Sequence, residues 1–125
     1  MAVEGYLRKI VVAGSFMKSV NLSPADLSGA NFRNADLRRA NLEDANLVGT
    51  NFTYADLTNA SLNGANLVDA NLVGAYLEDA HLVGAELSGA YLYEVTLMGS
   101  QELKAESRRA GKAAIPSLLW MTSLL

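Results

Sequence analysis

The apolar residues of the chain recur with a period of five. From Val20 to Gly99 every fifth residue is leucine or phenylalanine, beginning at Leu22 and ending at Leu97. Two positions before it stands alanine in thirteen of the sixteen repeats, the exceptions being Val20, Thr50 and Val95. On an α-helix this spacing would spread the leucines over every face, and on a strand it would alternate them between faces. A chain that keeps them inward must turn a corner once per repeat, which predicts a solenoid of stacked coils.

The other repeat positions agree with a corner in each repeat. The residue before the leucine is mostly asparagine or aspartate, side chains that bond to nearby backbone and tolerate turn geometry. Two residues after the leucine glycine is common, as at Gly29 and Gly49, where a corner can require a positive φ. The pattern therefore assigns two inward and three outward positions to each repeat.

The segment Ala25 Asp26 Leu27 Ser28 Gly29 and its neighbours resemble the A(D/N)LXX signature of the pentapeptide repeat family. The resemblance covers residues 20–99 and implies an all-β fold, a right-handed quadrilateral β-helix with four repeats per coil. In that register the sixteen repeats make four coils. Phe32 and Phe52 are twenty residues apart and are expected to stack.

The two ends depart from the repeat. Residues 1–19 keep its phase through Leu7, Val12 and Met17. They form either a degenerate coil or a short amphipathic cap, because an open solenoid end needs cover. Residues 100–125 predict a helix from about Gln101 to Ala110, followed by an apolar tail. We expect this segment to cap the last coil and to join two chains as a homodimer through the residues Leu118, Leu119, Trp120, Met121, Leu124 and Leu125.

The composition gives no support to catalysis. There is no cysteine and only one histidine, His81, so thiolate chemistry is excluded and clusters of several histidines cannot form. Carboxylate pairs at Glu43–Asp44 and Glu78–Asp79 would need a cleft, which a packed solenoid does not offer. We predict no catalytic, metal or cofactor site. The sequence also shows no signal peptide and no apolar run long enough to span a membrane, which favours a cytoplasmic location.

The charge is uneven along the chain. Residues 20–99 carry a net charge of −7 and each end +2, so the rod is expected to repel nucleic acids. Some members of the family that the sequence resembles mimic duplex DNA and inhibit a type II topoisomerase, which makes this the alternative function. Asp36 and Asp56 would lie on the acidic face, but Arg38 and Arg39 would share that face and weaken its field.

Outward aromatic residues indicate a surface for a protein partner. Tyr76, Tyr91 and Tyr93 are predicted to lie on adjacent faces of the last two coils. Tyrosines are enriched at interfaces, although favourable pairing between coils explains them equally well. The main hypothesis is a non-catalytic interaction or scaffold module whose partner is another protein, with Asp36, Asp56 and these tyrosines as its candidate contact surface.

Overall fold

A computed structural model describes residues 7–97 of the chain. Within that range there is neither an α-helix nor a strand longer than a single paired residue. The helix predicted from about Gln101, the apolar tail and the dimer contact lie outside the described residues.

Parallel β-bridges join residues that are twenty apart, from Val11–Asn31 to Tyr76–Thr96. The residue before each leucine or phenylalanine is the one that pairs, so four repeats complete one coil. The four columns of paired residues define four faces. Face 1 carries Val11, Asn31, Asn51, Asn71 and Tyr91; face 2 carries Phe16, Asp36, Asp56, Tyr76 and Thr96; face 3 carries Asn21, Asn41, Ser61 and His81; face 4 carries Asp26, Asn46, Asn66 and Glu86. The fold is therefore a quadrilateral β-helix, as the resemblance implied.

Three backbone hydrogen bonds on each face connect one coil with the next. Around Leu57, its N–H donates to the carbonyl of Tyr76 at 2.8 Å, and the N–H of Tyr76 donates to the carbonyl of Ala55 at 3.0 Å. The N–H of Asn59 donates to the carbonyl of Glu78 at 2.9 Å. Neighbouring coils thus satisfy each other's backbone groups, and an isolated coil would leave them unpaired.

The inward leucines, phenylalanines and alanines form one continuous core. From Ala25 to Leu97 the hydrophobic residues at the two inward positions are at most 3% exposed. The rings of Phe32 and Phe52 stack with centroids 5.3 Å apart and planes 9° apart, which confirms the prediction from their spacing. Thr50 replaces an inward alanine, and its hydroxyl donates to the carbonyl of Leu27 at 3.1 Å. The hydroxyl of Thr50 is therefore satisfied inside the core.

Residues 7–19 continue the coil pattern toward the N-terminus. Val11 and Phe16 pair with Asn31 and Asp36, and the N–H of Met17 donates to the carbonyl of Asp36 at 2.7 Å. The inward side chains of this segment pack against the core but are only partly buried, since no described coil lies beyond them. Isoleucine and serine here replace the inward alanine, yet the backbone keeps the same turns.

Each corner except the one at Pro24 is a four-residue turn whose third residue has left-handed geometry. The N–H of Ala60 donates to the carbonyl of Leu57 at 2.9 Å, and Asn59 has a φ of 59°. A positive φ at the third position defines a type II turn. The asparagine or aspartate before the leucine supports the corner, because its carboxylate or amide oxygen accepts from the N–H two residues later, as Asp56 does from Thr58 at 3.0 Å.

Gly74 combines a positive φ with a close neighbour, whereas Gly84 has the φ alone. Their φ values are 69° and 74°. A Cβ at Gly74 would collide with the ring of Tyr54, while at Gly84 the nearest atom is 3.8 Å away. The ring of Tyr54 can therefore pack against Gly74 only because that residue has no side chain.

We predict that Gly84→Ala lowers the free energy of unfolding by about 1–2 kcal/mol, the cost of left-handed geometry for alanine. Gly74→Ala should cost about 1 kcal/mol more, because the Tyr54 ring must also move. Denaturant unfolding measures both values. Adding Tyr54→Ala to each variant gives a double-mutant cycle, in which only the Gly74 pair should show coupling. Equal losses at the two glycines would contradict the contact.

Candidate functional site

The three tyrosines predicted as a contact surface lie around the corner between face 1 and face 2. Tyr91 and Tyr93 flank the inward Leu92 on face 1, and each is 59% exposed. Tyr76, on face 2, is 47% exposed and pairs with Asp56 on one side and Thr96 on the other. The structure thus brings the three rings to one end of two adjoining faces.

Tyr54 belongs to the same region, although the sequence analysis did not select it. It stands at the corner after face 1, and its ring packs against Gly74 of the next coil. The guanidinium carbon of Arg33 lies 5.7 Å from the ring centroid, within the range of a cation–π interaction. The sequence signal would have been a glycine twenty residues after a tyrosine. We call Tyr54, Tyr76, Tyr91 and Tyr93 the tyrosine surface.

Other exposed apolar side chains are separated from the tyrosine surface. Phe16 is 93% exposed on face 2 of the N-terminal coil, and Val11 is exposed on face 1 of that coil. Val83 is exposed on face 3, the face opposite Tyr93. The sequence signal at Phe16 was an aromatic residue where asparagine or aspartate is usual. None of these side chains lies in a cluster of aromatic rings.

Asp36 and Asp56, the other two predicted contact residues, lie one above the other on face 2 with Arg38 beside them. The Nε and Nη2 of Arg38 donate to the two carboxylate oxygens of Asp36 at 2.8 and 2.7 Å. The same Nε lies 3.9 Å from the Asp56 carboxylate. The hydrogen bond from Arg38 lowers the pKa of Asp36 to about 2. One guanidinium therefore offsets the field of two carboxylates, as the sequence analysis expected of Arg38.

Asp26 is a second carboxylate with a local partner. The hydroxyl of Ser28 donates to it at 2.8 Å, and this hydrogen bond is the main reason that the pKa of Asp26 is lowered. Arg8 also lies 3.6 Å from it, bridging the first two coils. Both aspartates thus act within the rod, since their charges stabilise neighbouring backbone or arginine groups.

The charges separate along the rod. Residues 7–39 contain six basic and two acidic side chains, whereas residues 40–97 contain eight acidic ones and no lysine or arginine. Since successive coils stack in chain order, this division in sequence is also a division along the axis. The tyrosine surface lies wholly in the acidic part.

The described residues hold neither a cluster of metal-ligating side chains nor a helix able to cross a membrane. Among residues 7–97 no three histidine or acidic side chains come close enough to hold a metal ion. His81, on face 3, is an exposed bridge residue paired with Ser61. A search of the same residues finds no helix of the length and apolar character needed to cross a membrane.

Comparison with known proteins identifies what the coils resemble. The family model for pentapeptide repeats matches residues 17–53, 25–64 and 60–99, with eight copies. HetL, a pentapeptide repeat protein involved in heterocyst differentiation regulation in the cyanobacterium Nostoc sp. strain PCC 7120, is 36% identical with a TM-score of 0.63. The match covers 75% of this chain and 49% of HetL, so the chain spans about half the length of that relative.

Two further solved structures show lower similarity. A pentapeptide repeat protein of the Arabidopsis thaliana thylakoid lumen is 26% identical with a TM-score of 0.42, over 81% of this chain and 72% of that one. QnrB1, a plasmid-mediated fluoroquinolone resistance protein, is 20% identical with a TM-score of 0.34, over 77% and 66%. No curated protein sequence matches the chain.

We predict that Arg38→Gln raises the pKa of Asp36 from about 2 toward its ordinary value of 3.8, because the bidentate hydrogen bond is lost. In the parent protein the lowered pKa makes ionised Asp36 stabilising above pH 3.8, and this contribution disappears as the pH falls toward 2. Titration of the carboxyl carbon by NMR measures the shift, and thermal melting at each pH measures its effect on stability. Arg39→Gln is the control, and an equal shift in that variant would contradict the assignment to Arg38.

Proposed function

The chain belongs to the pentapeptide repeat family, and on that premise we propose that it is a non-catalytic module that binds another protein through the tyrosine surface. Proteins of this family are structural or interaction modules. The observation that carries the proposal is the exposure of Tyr54, Tyr76, Tyr91 and Tyr93, which include every tyrosine of residues 7–97. Large exposed rings gathered in one place are typical of a contact surface.

The rigidity of the rod favours this role. Every coil is fixed by backbone hydrogen bonds and by a filled core, so the rings are presented on a preformed surface. Tyrosine adds large contact area while losing little side-chain entropy, and a rigid backbone adds no ordering cost on binding. The similarity to HetL, which is involved in heterocyst differentiation regulation, supports a regulatory rather than a purely mechanical role for this chain.

The alternative function, mimicry of DNA toward a type II topoisomerase, has weaker support. A mimic needs a continuous acidic surface, but Arg38 pairs with Asp36 and approaches Asp56 on the face proposed for it. Residues 7–39 are also predominantly basic. The acidic part therefore covers about three coils, roughly 14 Å at the spacing of stacked strands.

We predict that a protein partner is crosslinked at the tyrosine surface and not on the opposite face. Photoreactive p-benzoylphenylalanine would replace Tyr93 in one variant of the full chain and Val83 in another. Both positions follow an inward leucine and are 59% exposed, so the two variants differ mainly in the face that carries the probe. Irradiation in a lysate of the source cells, followed by gel analysis, should give specific adducts only at position 93. Equal adducts at both positions, or none, would refute the proposal.

We also predict that the full chain does not inhibit DNA supercoiling by a type II topoisomerase at concentrations comparable to the enzyme. The physical reason is the arginine within the Asp36–Asp56 column. A gel assay of supercoiling measures this directly. Stoichiometric inhibition that is relieved by the double variant Asp36→Lys, Asp56→Lys would make DNA mimicry the better reading.

A further inference from the structure

Three carboxylates beside the tyrosine surface have no basic partner among the described residues. Glu94 follows Tyr93 at the corner, and Glu78 and Asp79 follow Tyr76 on face 2. The ion pairs within residues 7–97 involve only Asp26, Asp36 and Asp56, so Glu78, Asp79 and Glu94 are not neutralised by any described residue. The surface thus combines exposed aromatic rings with unneutralised negative charge.

One of the four rings already has a guanidinium group over it. Arg33, the basic residue nearest to the acidic part after Arg39 and Arg38, lies over the ring of Tyr54. Tyr76, Tyr91 and Tyr93 have no equivalent arginine, because residues 40–97 contain no lysine or arginine at all. Within residues 7–97 the chain therefore places a guanidinium over one ring, and no described basic residue occupies the other three rings or pairs with Glu78, Asp79 or Glu94.

Ring faces and carboxylates together select for arginine. A guanidinium is planar, stacks on aromatic faces and donates two parallel hydrogen bonds to a carboxylate. An uncharged apolar partner would instead remove Glu78, Asp79 and Glu94 from water without any compensating charge. A phosphate-bearing partner would be repelled by the same groups.

We propose that the tyrosine surface binds an arginine-rich segment of another protein, with guanidinium groups stacked on Tyr76, Tyr91 and Tyr93 and paired with Glu78, Asp79 and Glu94. This inference rests on the proposed protein-binding function and specifies the chemistry of the partner. It does not require a particular fold of the bound segment, because arginine side chains are long enough to reach both the rings and the corner carboxylates.

The test uses the purified full chain and a fluorescent synthetic peptide of arginines spaced by glycine and serine. Fluorescence anisotropy should show binding that weakens with salt, and a matched peptide with citrulline for arginine should not bind. Tyr91→Leu with Tyr93→Leu keeps the apolar area but removes the aromatic rings, and it should weaken binding about 5- to 30-fold.

The chain offers a matched control for charge. Glu78–Asp79 and Glu43–Asp44 are the same dipeptide at the same repeat positions, but the first lies on face 2 beside Tyr76 and the second on face 3. The double variant Glu78→Gln, Asp79→Asn should weaken binding of the arginine peptide about 2- to 25-fold, since each exposed charge pair contributes a factor of about 1.4 to 5. Glu43→Gln with Asp44→Asn should change binding less than twofold.

Several outcomes would overturn the inference. These are the absence of arginine-peptide binding, equal binding of the citrulline peptide, equal weakening by the two charge variants, and no effect of the tyrosine variant. Binding that appears only after Arg108→Gln with Arg109→Gln would make the chain's own basic segment the occupant. Self-association lost in the tyrosine variant, measured by sedimentation, would make the occupant a second copy. If crosslinking at position 93 persists while the peptide fails to bind, the protein-binding function stands and only the arginine chemistry is wrong.

Discussion

The structure depends on one constraint, which is that each five-residue repeat must return its leucine to the core through a corner with left-handed geometry at its third residue. All corner residues from Lys9 to Glu94 meet this requirement with a positive φ, except Pro24. Glycine relieves the strain at seven of these corners, but ten carry other residues. The inter-coil hydrogen bonds and the buried leucine offset that strain, because neither forms unless the corner closes.

The same constraint decides where function can reside. Apart from Ser15 and Thr50, both inward positions are filled by apolar side chains, and residues distant in sequence meet only when they are separated by about one coil. A globular enzyme gathers catalytic groups from several loops around a cleft, whereas this rod offers columns of outward side chains. The functional groups of the rod must therefore lie on its outer faces. Since axial order follows chain order, a sequence with its bases in residues 7–39 and only acids in residues 40–97 becomes a rod that is polarised along its length.

Spacing alone predicted the parts of the fold that a period determines. The inward leucines follow from the five-residue period, whereas the stacking of Phe32 on Phe52 and the position of Arg38 near Asp36 and Asp56 also needed the four repeats per coil that the family resemblance implied. The pattern could not decide between coil and cap for the N-terminal segment, because Ile10 and Ser15 depart from alanine. The structure shows that residues 7–19 take the coil path, with Ile10 packed against the core. The inward position before the leucine therefore accepts isoleucine as well as alanine.

The contact between Arg33, Tyr54 and Gly74 could not be predicted from the spacing of residues, because it depends on the direction in which corner side chains point. Four corner side chains lie over a glycine one coil later: Lys9 over Gly29, Asp44 over Gly64, Tyr54 over Gly74 and Asp69 over Gly89. A glycine at such a corner adopts the positive φ without strain and also leaves room for the side chain of the preceding coil. At Gly74 that room lets the Tyr54 ring lie against the rod with Arg33 on it, so a backbone requirement and a surface feature share one residue. The packing of an outward side chain at a corner thus depends on the next coil. A tyrosine or carboxylate at a corner should therefore be interpreted together with the residue twenty positions later.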